Sequence, residues 1–418
     1  MIFFNDNVSN LSNHPIVSVP SRNFVSDPNW RENLSSMPIP ISVRNDALLT
    51  HALEMTICGK RIDVELGAQL HEHENFAGLA SLADNIKRSR FGDKVFFNSN
   101  LHVNTTNICT LACRFCAFRK GSRNEDAYAL SPEEFVARIA PYSDIVDEVH
   151  AVGGLHPTWS VEHYSEIYKL SKNIFPHISI KSLSAIEVKH IASRSGLSIS
   201  ETLRKLQASG LDSLPGGGAE ILVDSVRDRI CRGKEKSSEY LEIHSIAHSL
   251  GIPSNCTMLF GTVETVSDRM THLQKLRDQQ DSSQGFQCFV PYPFLVDNTR
   301  IPEAKIASAS EVIRVIAVSR IMLDNIPHIK AYRMNIGDNL ASIAVNCGAD
   351  DIDGTVGHEE IMHLAGSTTP VDYDCNEISA LVESSGLVPV KRNSTYTSFT
   401  EHIGRTLSFD LSLPIAGQ

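Results

Sequence analysis

No run in the 418-residue sequence approaches the roughly 18 apolar residues that a membrane-spanning helix needs, and the opening MIFFNDNVSNLSNHP has neither a charged n-region nor a long apolar stretch. Membrane and secretory readings are set aside on that ground, and a cytoplasmic location is expected. Positive charge is also scarce. Lys and Arg number 38 against 49 Asp and Glu, a formal net charge of −11. A protein that grips nucleic acid by its phosphates needs the opposite balance, so the expected partner is a small molecule rather than a nucleic acid. The nine cysteines lack any disulfide logic, because an odd number scattered over so long a chain makes a poor framework. What is present is a 42% share of hydrophobic residues, enough for a substantial core.

Residues 1–45 are rich in Asn, Ser and Pro, show neither helical nor strand periodicity, and read as a flexible or extended N-terminal extension. A helical pattern fills 46–98, ending in FAGLASLADNIKRSRF. From residue 99 to 366, short β-branched or apolar runs alternate with amphipathic stretches. The strand candidates are LHVNTT (101–106), EVHAVGG (148–154), ISIKSLSA (178–185), SLPGG (213–217), SNCTMLFG (254–261), FQCFVPYP (286–293), IKAYRMN (329–335) and DDIDGTV (350–356). Between them lie helix candidates such as SPEEFVARIAPY, SISETLRKLQASG and GDNLASIAVNCG, several with an N-terminal Ser or a C-terminal Gly suited to capping. This alternation predicts an α/β fold, a (β/α)8 TIM-type barrel with a partial (β/α)6 barrel as the alternative, and a site at the C-terminal ends of the strands. Residues 367–418 are expected to form a C-terminal helix, NEISALVESSG, and a tail packing on the barrel.

Six cysteines stand alone, whereas Cys109, Cys113 and Cys116 fall in NICTLACRFCAF, a loop directly after the first barrel strand. Three soft ligands so close suit one metal centre. Structural zinc wants four ligands and usually shows a second CxxC knuckle, which is missing, although His102 or His156 could serve as a remote fourth ligand. A [4Fe–4S] cluster held by three thiolates keeps one iron free of protein, which is where chemistry can occur; ferredoxins supply all four ligands.

The Cys-x3-Cys-x2-Cys spacing with Phe115 before the last cysteine resembles the signature of radical S-adenosylmethionine (SAM) enzymes. The resemblance implies that Cys109, Cys113 and Cys116 ligate three irons and that the amino and carboxylate groups of SAM chelate the fourth. Gly153 and Gly154 resemble the family's GGE-type element, with Leu155-His156 in place of Glu, although a Gly pair after a strand is also an ordinary turn signal. Ser184 and Glu187 fall where contacts to methionine or ribose are expected, and Gly261 and Glu264 match a G-x-x-E after the fifth strand.

Over about 270 residues the landmarks VHAVGGLHP, LDSLPGGGAEIL, TMLFGTVET and HIKAYRMNIG are similar to the subgroup that makes menaquinone precursors by the futalosine route and the deazaflavin chromophore, aminofutalosine synthases above all. That resemblance implies addition of the 5′-deoxyadenosyl radical to 3-[(1-carboxyvinyl)oxy]benzoate, and a reduced flavodoxin or ferredoxin as electron donor. The cyclase acting later on that route and the tyrosine-using deazaflavin synthase are the alternatives, and a non-catalytic iron–sulfur or zinc protein is the alternative of another class.

A substrate with two carboxylates asks for donors near the barrel mouth. His156, Asn104 and Glu220 are the expected catalytic residues, with His102, Asn255, Arg229, Arg232, Lys234 and Arg333 as further candidates. His244 and His248 are spaced as a metal pair on a helix but read more readily as packing residues. Thr262 stands where the subgroup usually has His, so any role of that His is lost or moved here.

Overall fold

The computed structural model describes residues 17–18 and 26–401; the remainder of the two terminal segments lies outside the described residues. After β1 (Val17–Ser18) comes a helical lead-in of α1 (Trp30–Ser36), α2 (Ile41–Arg44), α3 (Ala47–Ile57), α4 (Val64–Glu72) and α5 (Phe76–Phe91). The described part of 1–45 therefore departs from the expected lack of regular structure. The reason is packing: Leu34 is fully buried, and the Trp30 ring lies between the guanidinium groups of Arg31 and Arg90, 4.3 and 4.1 Å from its centroid.

Next come β2 (Lys94–Phe97), β3 (Asn100–His102), α6 (Pro132–Ile139), β4 (Glu148–Ala151), α7 (Val161–Ile174), β5 (Ser179–Ser182), α8 (Ala185–Ser195), α9 (Ile199–Ser209) and β6 (Leu211–Ser213). The chain continues through α10 (Asp224–Ile230), α11 (Ser237–Ser249), β7 (Ser254–Phe260), α12 (Val266–Ser283), β8 (Phe286–Pro293), α13 (Ala309–Met322), β9 (His328–Ala331), α14 (Arg333–Ala344), β10 (Asp351–Ile352) and α15 (Ile361–Leu364). It closes with α16 (Cys375–Ser384), β11 (Val388–Arg392) and β12 (Phe399–Glu401).

Strands β3 to β10 are parallel and close on themselves. Two runs, β3-β4-β5-β6 and β7-β8-β9-β10, are joined by parallel bridges, Leu214 to Ser254 at one seam and Leu101 to Gly357 at the other. This is an α/β TIM-type barrel, as the alternating pattern implies. The closing seam depends on a glycine, since a Cβ on Gly354 would stand 1.4 Å from the Asn98 carbonyl oxygen. Outside the ring, β2 pairs with β10 and β11, and β12 pairs antiparallel with β11 and β1. Helix starts follow the capping chemistry in the sequence: Ser131 Oγ accepts from Glu134 N at 3.2 Å while Glu134 Oε2 accepts from Ser131 N at 2.7 Å.

Several elements differ from expectation, among them these. The fourth strand spans 211–213 rather than 213–217, because the chain turns into the glycine-rich loop at Pro215. Helices α8 and α10 have no counterpart among the expected helices. Helix α14 starts at Arg333, inside the expected strand, because Asp353 accepts hydrogen bonds from the backbone N–H groups of Arg333 and Met334.

Buried histidines make the stability of the core depend on pH. His244 and His272 are fully buried, and burial holds both down at about 3; His71, also buried, is held at about 4. In the unfolded chain each takes a proton near pH 6.5, so their contribution to stability is present above that pH and is lost as pH falls toward 4, by about 1.4 kcal/mol per pH unit for each. The melting temperature of the metal-free protein is expected to drop steadily from pH 6.5 to 5 in a thermal denaturation series, and a flat profile would contradict it.

Candidate active site

The chain leaves β3 through the buried Val103–Asn107 segment and enters the cysteine loop. Its backbone is pinned from several sides. Cys109 N donates to the Lys120 carbonyl at 3.2 Å, Arg114 N to that of Ile230 at 2.8 Å, and Arg300 Nη2 to those of Ala112 and Cys113, each at 2.9 Å. Cys109, Cys113 and Cys116 are half-buried and free of disulfides. Burial pushes the Cys113 thiol up to about 12 and raises that of Cys116, so without a cation both stay protonated at neutral pH. Among the described residues no three His, Cys, Asp or Glu gather where a single ion would sit. Three free thiols on one short loop are a soft donor set that offers one sulfur to each of three irons of a cubane. The residues present fit an iron–sulfur cluster.

Beside this loop, at the C-terminal mouth of the barrel, lies a cavity of about 210 Å³. Phe115, Cys116 and Ala117 form its loop side, Gly217, Gly218 and Glu220 one wall, and Leu259, Phe294 and Met362 much of the apolar remainder. His102, His150, Tyr292 and Tyr332 also line a small polar pit lower in the barrel, which makes them the cavity floor.

Several expected site residues hold the loops rather than face the cavity. Glu187 accepts from Gly153 N at 2.8 Å and from Ser184 N and Oγ at 2.7 and 2.5 Å, tying the glycine turn to the start of α8. Burial pushes its carboxyl up to about 7 against those donors. Glu264 accepts from Gly261 N, Thr262 N, Thr262 Oγ1 and Arg269 Nε at 2.6–2.9 Å, so the Thr262 hydroxyl is turned back into its own loop. Gly154 N donates to the Thr106 carbonyl at 2.7 Å, against the base of the cysteine loop. Asn104 donates to Glu360 at 3.0 Å. His156 does not line the cavity; its ring stacks on Trp159 at 4.4 Å, and burial with His163 and His190 lowers its basicity.

Of the cations, Lys234 reaches the cavity wall: its Nζ donates to Glu220 and lies 5.6 Å from the Phe115 ring centroid. Burial disfavours its charge, but Glu220 and Glu235 outweigh that and keep it protonated. Arg229 and Arg232 are exposed, and Arg333 is buried beside Asp338 and Asp353, away from the cavity. Asn255 lines only the pit. His244 and His248 both bond Ser254 Oγ, at 2.9 and 2.8 Å, as packing residues do.

Residues 103–276 match the radical SAM superfamily, and residues 283–403 match the CofH/MqnC C-terminal region. The chain is 35% identical over 356 residues to aminodeoxyfutalosine synthase of Thermus thermophilus, covering 84% of this chain and 96% of that protein. It is 33% identical over 357 residues to cyclic dehypoxanthine futalosine synthase of Streptomyces coelicolor, covering 84% and 88%. The chain belongs to the radical SAM superfamily, in its futalosine-pathway family. Among solved structures, methylornithine synthase shares the fold, with a TM-score of 0.65 and 18% identity over 80% of this chain and 96% of that one.

Membership means that this radical SAM enzyme uses a [4Fe–4S] cluster with SAM as co-substrate. Sequence reasoning missed much of the cavity floor. His150, Tyr292, Tyr332 and Glu359 come from four different strand ends, and no local spacing links them. Only their positions at the C-terminal ends of barrel strands could have marked them. Among the described residues no helix is long and apolar enough to cross a membrane.

Proposed function

We propose that this chain is an aminodeoxyfutalosine synthase of the cytoplasm. It joins the 5′-deoxyadenosyl group of SAM to the enol-ether carbon of 3-[(1-carboxyvinyl)oxy]benzoate, with loss of a carboxylate as bicarbonate or CO2, to give 6-amino-6-deoxyfutalosine. The observation that carries this reading is the 35% identity maintained over 96% of the Thermus synthase. Cys109, Cys113 and Cys116 hold the cluster, which when bound supplies the electron that splits SAM into methionine and the adenosyl radical; a flavodoxin or ferredoxin delivers that electron.

The remaining work falls to the protein. Phe115, Gly153 and Gly154 shape the SAM side of the site, and Glu187 and Glu264 brace its loops. The apolar walls exclude water, so that the radical meets the vinyl carbon rather than solvent.

The test is to incubate the reduced, reconstituted enzyme with SAM and the enolpyruvyl benzoate and follow products by mass. Aminodeoxyfutalosine is the expected product. Formation of 5′-deoxyadenosine alone would assign the chain instead to a hydrogen-abstracting relative, either the cyclase, 33% identical over 357 residues, or a tyrosine-using enzyme of deazaflavin synthesis such as the 5-amino-6-(D-ribitylamino)uracil–L-tyrosine 4-hydroxyphenyl transferase of Methanosphaerula palustris, 38% identical over 323 residues.

A further inference from the structure

The cavity floor presents hydrogen-bonding groups that the fold does not use. Glu359 Oε2 lies 2.6 Å from His102 Nδ1, while its Oε1 is held by Met362 N at 2.9 Å. Burial alone would raise this carboxyl, but the His102 imidazole outweighs it and holds Glu359 at about 2. The ring of His102 is thus fixed by an ionised partner on one nitrogen, and it stacks on His150 at 4.6 Å. Its Nε2 accepts from Asn100 Nδ2 at 3.3 Å, an amide whose orientation is set by Val356 N donating to Asn100 Oδ1 at 3.2 Å, so both ring nitrogens of His102 are taken up within the protein.

Next to this pair, the Tyr292 ring meets Tyr332 edge-on at 4.9 Å, and the Tyr332 hydroxyl points to Glu359 at 3.4 Å. The Tyr292 hydroxyl makes no hydrogen bond among the described residues, and neither does the His150 ring, which burial keeps neutral at about 3. Both side chains line the cavity and are free to donate to a ligand bound there.

We propose that this floor seats the aryl carboxylate of the substrate, with His150 and Tyr292 as its recognition residues and His102, held by Glu359 and stacked on His150, as the residue that positions the His150 ring. The inference rests on the reaction proposed above. The reacting vinyl carbon must lie toward the cysteine loop, where SAM is held. The ring carboxylate is at the other end of the molecule and therefore at the floor. A carboxylate there needs donors, and charge-assisted hydrogen bonds from an imidazole and a phenol supply them. The nearby lysines and arginine are already committed: Lys181 pairs with Glu148 at 2.7 Å, and Lys330 and Arg392 both pair with Asp351. Lys234 is paired with Glu220 on the side wall.

The proposal is tested by equilibrium binding to the anaerobic, unreduced holoenzyme with SAM present, comparing 3-[(1-carboxyvinyl)oxy]benzoate with the same enol ether of unsubstituted phenol. The wild type is expected to prefer the benzoate by roughly 10- to 100-fold, the range of a hydrogen bond to a charged group. Tyr292→Phe, which removes one hydroxyl that nothing among the described residues uses, and His150→Phe should each erase a large part of that preference, and the two together nearly all of it. Affinity for the phenyl ether and the cluster absorbance should not change. Equal binding of the two ligands by the wild type, or a preference that survives both variants, overturns the proposal. If the preference behaves as stated but reduction yields no aminodeoxyfutalosine, the proposed reaction fails and the carboxylate seat stands. If the product forms while the preference ignores both variants, the seat fails and the reaction stands.

Discussion

Cys113→Ala is expected to abolish both the broad iron–sulfur absorbance after anaerobic reconstitution and the release of methionine from SAM. The argument is one of chemistry and position. A cluster with three protein ligands has no spare, and the isolated thiols cannot substitute: Cys256, Cys288 and Cys347 are buried elsewhere in the barrel, and Cys58 lies exposed at the end of α3. Cys231 sits nearest in character, close enough for its charge to act on Cys113, but it is buried and burial pushes its thiol up to about 11, which makes it a poor replacement. The fold should survive the change, because Cys113 is half-buried and its carbonyl, not its side chain, accepts the bond from Arg300. Cys58→Ala is the control and should leave both signals intact. Retention of either signal in Cys113→Ala would remove the triad from the mechanism.

The barrel was legible because of what each strand must satisfy. A parallel strand covered on both faces reads as an unbroken apolar run, and FQCFVPYP is observed as β8 over the same residues, 286–293. Helix α8 was missed although its apolar residues Ala185, Val188, Ile191 and Ala192 keep helical spacing. Ser184 and Glu187, which form its capping box, are the same residues that the family resemblance places against methionine or ribose. One short S-x-x-E reads equally well as a ligand contact or as a helix start, and only the fold shows the second use. The site was legible where it is local, in the eight residues of the cysteine motif. It was illegible where it is assembled. His102 and Asn104 share a face by strand alternation, yet β3 ends at His102, so the two diverge, one to Glu359 at the floor and the other to Glu360. No sequence rule joins His102 to a carboxylate so far along the chain; barrel closure does.

Gly154→Ala is expected to lower turnover at least about 100-fold, or to prevent cluster assembly altogether, while the barrel remains folded. A Cβ at this position would stand 2.3 Å from the Ile108 carbonyl oxygen and 2.9 Å from the Cys109 Cβ. Neither neighbour can yield cheaply: one is backbone, and the other belongs to the first cysteine of the triad. The bond from Gly154 N to the Thr106 carbonyl fixes the two segments face to face, so the strain must be relieved by displacing the start of the cysteine loop at Ile108 and Cys109. Overpacking of this kind costs roughly 1–3 kcal/mol, which a barrel of this size tolerates. A shift of the first cysteine relative to the other two is a different matter, because three thiolates must meet three irons at once. Gly121→Ala supplies the comparison: that glycine follows the same loop, has no atom within 4 Å of its would-be Cβ, and should leave iron content and turnover unchanged. Iron and sulfide content, methionine release and the melting curve, measured on both variants, separate the cases. If Gly154→Ala loads its cluster and turns over like Gly121→Ala, the close approach of the two loops is not what holds the cysteine triad in register.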